Sequence, residues 1–238
     1  MAVKKTMSKK DLFENDGILT FWERAQAFAA ENLSRIVAAG LVVCVLAAGI
    51  GFWMFSRSRT EAQALERFYG AMNVMARNDG KPGDKSMQRA QALKQFESVH
   101  TEFSGTQAGT LALFYAASCR YDLKQYDEAI ATYAGFLEKA GGDFDFLRLL
   151  AYENLGYAYE AKGDFRAALE WFGKQTDDEQ GGLRASALFH SARCYEALGD
   201  RVKACRFYKD FLEKNPAAQQ RTIAGIKVAA LCDSPPAE

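Results

Sequence analysis

The chain has 238 residues, room for one or two compact units, with 30 Lys plus Arg set against 30 Asp plus Glu and 49% of residues apolar. That balance argues against a nucleic-acid binder and against an acidic disordered tail. Four prolines, 19 glycines and few Val or Ile after residue 60 favour helix over sheet, while two His and five scattered Cys leave little for a metal site and rule out a dense disulfide scaffold.

Residues 1–35 read as a polar tail that opens with Lys4, Lys5, Lys9 and Lys10. Ile18, Phe21, Trp22, Ala25, Phe28 and Ala29 follow at helical spacing, a juxtamembrane amphipathic helix that lies in the headgroup layer or extends the next helix into water. From Ile36 to Phe55, twenty residues pass without a charge. As a helix this run covers about 30 Å, the thickness of a hydrocarbon core. Ten of the twenty are Leu, Ile, Val or Phe, which favours insertion by roughly 3–6 kcal/mol. A buried core helix would show a polar face, and a cleaved signal peptide would carry a small-x-small site where Phe52, Trp53, Met54 and Phe55 stand. Residues 36–55 are therefore predicted to be a retained transmembrane helix, closed by Arg35 on one side and Arg57 and Arg59 on the other. Gly40, Cys44 and Ala48 form a row of small residues that admits a neighbouring helix, though such rows are common in apolar spans. Six Lys or Arg in the tail, against Arg57, Arg59 and Arg67 just past the span, favour a cytoplasmic N-terminus and a translocated main domain.

Residues 60–238 change to amphipathic helices of about a dozen residues joined by short turns. Three copies of one pattern stand at 110–140, 149–178 and 185–216, each a helix, a tight turn and a second helix. Small residues recur on the first helices (Ala117, Gly156, Ala192) and on the second (Ala129, Ala168, Ala204), with Tyr133, Phe172 and Tyr208 four residues after the latter. Such spacing lets two antiparallel helices approach closely and fills the gap to the next pair with an aromatic ring. Gly163 and Gly199, each followed by Asp, end first helices, and Asn215 with Pro216 starts the helix that follows. A degenerate pair at about 60–103 precedes the three copies, with Ala92 and Phe96 in the equivalent places, and residues 217–232 form a capping helix. The stretches resemble tetratricopeptide repeats, so the expected fold is all-α: one transmembrane helix followed by a TPR-like helical-hairpin solenoid. The alternative is a closed helical bundle.

In such a stack the first helices line the concave side. The repeat register then projects Phe114, Tyr121, Glu153, Tyr157, Glu160, Phe189, Arg193 and Glu196 into a partner-binding groove, although aromatic residues at these places also serve as packing between repeats. No catalytic, cofactor or metal constellation is legible. His100 and His190 have no nucleophile and carboxylate at triad spacing, no Gly-rich loop follows a strand, and Asp177, Asp178 and Glu179 read as a solvated loop. The expectation is a protein that is not an enzyme, takes no small-molecule substrate or cofactor, and binds other proteins. Cys119, Cys194, Cys205 and Cys232 fall in the repeat region. Cys194 and Cys205 sit on the two helices of one pair and either face each other as a disulfide or fill space between helices.

A charged tail with Phe21-Trp22, one uncleaved span with Phe52-Trp53, then a translocated repeat domain: this layout resembles the bacterial YfgM-like family. The resemblance covers essentially the whole chain but rests on layout more than on signature residues, and the extended tail, longer loops and extra cysteines depart from it. It implies a single-pass inner-membrane protein, ancillary to the Sec translocon, whose periplasmic domain works with periplasmic chaperones and meets unfolded clients. The other reading from the residues is a cytoplasm-facing receptor or a non-catalytic subunit of an envelope complex.

Overall fold

The computed structural model describes residues 25–26, 28–77, 82–176, 183–214 and 220–232. Most of the expected juxtamembrane helix, including Ile18, Phe21 and Trp22, lies outside them, as do the acidic loop at 177–179 and the Asn215–Pro216 cap. Helix α1 is Leu33–Ala76, followed by α2 (Pro82–Glu102), α3 (Gln107–Asp122), α4 (Tyr126–Lys139), a 3₁₀ turn at Gly142–Phe144, α5 (Asp145–Ala161), α6 (Phe165–Thr176), α7 (Arg184–Ala197), α8 (Arg201–Lys214) and α9 (Arg221–Cys232). No strand occurs among the described residues.

The chain divides into two units, Met1–Ser58 and Arg59–Glu238. In the first, α1 is long and apolar enough to cross a membrane, and none of its apolar stretch is buried by protein. Val45, Leu46, Ile50, Phe52 and Trp53 all stand exposed, and the Arg57 guanidinium lies 5.4 Å from the Trp53 ring centroid. With neither Gly nor Pro between Phe55 and Glu61, nothing in the sequence stops the helix at the end of the apolar run.

In the second unit consecutive helices form hairpins, and the recurring small residues explain why. Ala117, Ala129, Ala168, Ala192 and Ala204 are all 0% exposed. A Cβ on Gly156 would meet the Phe172 ring at 2.4 Å, so only hydrogen fits there. Tyr133, Phe172 and Tyr208 are buried against the following pairs, and Phe68 and Phe96 meet at 5.6 Å in the first hairpin, where Ala92 is 0% exposed. The turns are alike: Gly163 (φ 79°) and Gly199 (φ 77°) take the left-handed conformation that a glycine adopts without strain. Asp164 and Asp200 then cap α6 and α8 by accepting from the backbone N–H of Ala167 (3.1 Å) and Lys203 (3.0 Å). In the α3–α4 turn Lys124 takes the same left-handed place (φ 62°).

Two ties lie outside the repeat logic. The Glu61 carboxylate on α1 accepts from the backbone N–H groups of Gln107 (3.0 Å) and Ala108 (2.9 Å), satisfying donors at the start of α3 from the preceding hairpin. At the other end a disulfide joins Cys205 on α8 to Cys232 on α9, with Cα atoms 5.6 Å apart. The Cys194–Cys205 pairing considered from sequence is not made. Cys194 is buried with Ala168, Phe172 and Ala187, turned toward the preceding hairpin, whereas Cys205 meets α9. Cys119 and Cys194 are buried free thiols. Burial pushes Cys119 up to about 11 and Cys194 up to about 12, so both are neutral fillers.

Candidate functional site: a groove along α3, α5, α7 and α9

Alternate helices of the array share an open groove made of two adjoining cavities. One, of about 610 Å³, is lined by Tyr121, Tyr157, Glu160, Ala161, Phe165, His190 and Arg193. The other, of about 670 Å³, is lined by Glu160, Phe165, Phe189, Arg193, Glu196, Ala197, Tyr208, Ile223 and Lys227. Glu160, Phe165 and Arg193 belong to both, so the cavities are continuous there.

Its electrostatics are closed on themselves. Glu160, 13% exposed at its side chain, accepts from Arg193 Nη2 at 2.9 Å and lies 3.6 Å from His190 Nδ1. Glu196 pairs with Lys227 across to α9 and accepts from the Tyr208 hydroxyl at 3.1 Å. His190 is held edge-on by Tyr157, with ring centroids 4.6 Å apart, and stacks on Phe172 at 5.5 Å. The Tyr157 hydroxyl donates to Glu153 at 2.7 Å and lies 3.0 Å from Ser186 Oγ. Burial, reinforced by the nearby carboxylates, raises the Tyr157 and Tyr208 phenols well above the ordinary tyrosine value, so both stay hydrogen-bond donors at any physiological pH.

Of the eight residues the register pointed to, six line the groove: Tyr121, Tyr157, Glu160, Phe189, Arg193 and Glu196. The other two are buried and do not line it. Phe114 is 7% exposed and packs on Tyr133 and Phe136 at 5.6 and 5.4 Å. Glu153 is 7% exposed and is consumed by Tyr157 and Ser186. Phe189 has a double position, 6% exposed and packed on Phe211 at 5.4 Å while its edge reaches the groove. The structure adds Phe165, His190, Tyr208, Ile223 and Lys227. Ile223 and Lys227 carried a usable signal: four residues apart, they share a face of α9, which stands where a further first helix would. Among the described residues no group of three or more His, Cys, Asp or Glu is placed to hold a metal ion.

Residues 111–141 and 186–218 match one tetratricopeptide-repeat family model, and residues 149–177 match another. No curated protein matches the sequence. Among solved structures, the chain is similar to nearly identical TPR-like repeats of a Podosopora anserina protein described as a kinesin light chain. The TM-score is 0.52 and the identity 16%, covering 74% of this chain and 86% of that one. A single-substitution variant of the same protein gives a TM-score of 0.52 and 16% identity, with 74% and 85% covered. At that identity the likeness speaks for the fold alone. Matched repeats, buried small residues and recurring left-handed turns agree: the groove is built on a tetratricopeptide-repeat solenoid, an architecture for binding other proteins.

Proposed function

We propose that this chain is a single-pass protein of a bacterial inner membrane, with its N-terminus cytoplasmic and its repeat domain periplasmic. There it serves as a scaffold that binds other polypeptides, an ancillary factor of the Sec translocon and the periplasmic chaperone network. The observation that carries the reading is the continuous groove, lined by aromatic and apolar side chains and by two carboxylates each paired with a cation, along the inner helices of the repeats. Two features support the location. The span's apolar side chains are exposed on all sides, which calls for lipid around them, and the Cys205–Cys232 disulfide suits an oxidising compartment. Tethering raises the groove's effective concentration for chains emerging at the membrane, so weak contacts suffice.

A photo-crosslinking residue at position 157 or 223 in living cells should give adducts with translocon components, periplasmic chaperones or newly exported chains. Adducts confined to cytosolic proteins would refute the reading. The second reading, a cytoplasm-facing receptor or non-catalytic subunit of an envelope complex, is favoured by Arg57 and Arg59 directly after the span. It requires that protease added to spheroplasts spare the repeat domain and that Cys205 and Cys232 be recovered as thiols.

A further inference from the structure

We propose that the groove takes uncharged, apolar stretches of polypeptide and discriminates against charged segments and charged chain ends, an inference that rests on reading the groove as a polypeptide-binding site. The argument is one of charge already spent. The groove's ionised groups form two internal pairs: Glu160 with Arg193 at 2.9 Å, and Glu196 with Lys227. Their four charges sum to zero; the second oxygen of Glu196 accepts from the Tyr208 hydroxyl, and that of Glu160 lies 3.6 Å from His190 Nδ1.

An incoming carboxylate at the half-exposed Arg193 meets the Glu160 charge beside it, and an incoming ammonium reaches Glu160, 13% exposed, only by displacing Arg193. The first adds a like charge to a pair that is already neutral and the second trades one ion pair for another, so neither gains much. Apolar side chains meet no such obstacle. The same cavity is lined by Phe165, Phe189, Ala197 and Ile223, the last 53% exposed although it is a β-branched aliphatic. Covering this surface is favourable in proportion to its area and owes nothing to ionic strength. The occupant that fits is a non-native or extended segment rich in Leu, Phe and Ala, internal to a chain.

The full-length protein in lipid nanodiscs can be titrated, against empty nanodiscs, into three labelled peptides of roughly twelve residues read by fluorescence anisotropy. One is apolar with Ser and Gln spacers and both ends blocked, one carries two Asp and a free carboxylate, and one carries two Lys. The blocked peptide should bind about tenfold or more tighter than either charged one, with a Kd that changes less than about twofold between about 50 and 500 mM NaCl. Ile223→Asp, which places an unpaired charge on the apolar strip, should weaken it at least about fivefold. Arg193→Gln, which leaves Glu160 unpaired, should tighten the Lys peptide by at least about fivefold. Tighter, salt-sensitive binding of a charged peptide would overturn the inference while leaving the scaffold reading intact. So would a Lys peptide that gains nothing from Arg193→Gln, or blocked-peptide binding indifferent to Ile223→Asp. Failure of all three peptides, together with no polypeptide adduct from a crosslinker at position 223, would take the scaffold reading down as well.

Discussion

Gly156 sets two parts of the fold against each other, because local propensity and packing predict opposite signs for Gly156→Ala. In the interior of a helix the change should stabilise by about 1 kcal/mol, since alanine loses less backbone freedom on folding. The added methyl, however, would lie 2.4 Å from Cε1 of Phe172 and 2.6 Å from two further atoms of that ring, more than an ångström inside ordinary contact. The ring cannot swing clear. It is 0% exposed, with Tyr157 and His190 against it at 5.6 and 5.5 Å. Overpacking of this kind costs about 3 kcal/mol at the upper end of its common range, which leaves a net loss near 2 kcal/mol. For a domain of this size that lowers Tm by roughly 4–8 °C, measurable by the circular dichroism of the full chain in detergent. A double-mutant cycle with Phe172→Leu should recover at least about 1 kcal/mol, because the smaller side chain removes the obstacle. A Gly156→Ala protein that melts higher than the parent would refute the claim that contact between paired helices, not helix propensity, dictates the small residues.

Lys124→Gly should raise Tm by roughly 1–3 °C, since glycine adopts the left-handed backbone of Lys124 (φ 62°) without strain. Glu61→Ala strips the carboxylate from the Gln107 and Ala108 amides and should cost about 1–2 kcal/mol, read as faster hydrogen exchange at the start of α3. Breaking the Cys205–Cys232 bond with Cys232→Ser reopens a loop spanning 27 positions, a loss of about 3.5 kcal/mol on the chain-entropy model. Exchange should rise in α9 first and leave α3 to α6 unchanged. Burial raises Cys119 to about 11 and Cys194 to about 12, so both contribute stability that is whole below the pKa of an exposed thiol. That contribution fades as pH climbs from about 9 toward those values, and a series of denaturant midpoints should fall over the same interval.

The hairpins were legible in the sequence because their determinants are local and repeated. Ala117, Ala129, Ala168, Ala192 and Ala204 recur where two helices touch, and Gly163 and Gly199 mark turns that need a left-handed residue. Lys124 hid the third such turn, since no lysine announces a positive φ. The groove was half legible. Helical register groups Glu153, Tyr157 and Glu160 on one face, but it cannot say which member the next hairpin covers, and Ser186 of α7 takes Glu153 out of reach. Phe114 is covered within its own hairpin instead, by Tyr133 and Phe136 from α4. Nor does spacing along one helix identify a cross-link partner. Cys194 and Cys205 share a hairpin yet turn to different neighbours, and Cys205 finds Cys232 only because α9 folds back on α8.

That fold-back carries a consequence for timing. Ile223 and Lys227 supply one wall of the groove from a helix of twelve residues, too short to hold its shape unaided. Its covalent clasp closes only where an oxidant is at hand. A chain in a reducing environment would therefore carry a groove with one wall unfastened. On the periplasmic location proposed above, that wall would be fastened only after export.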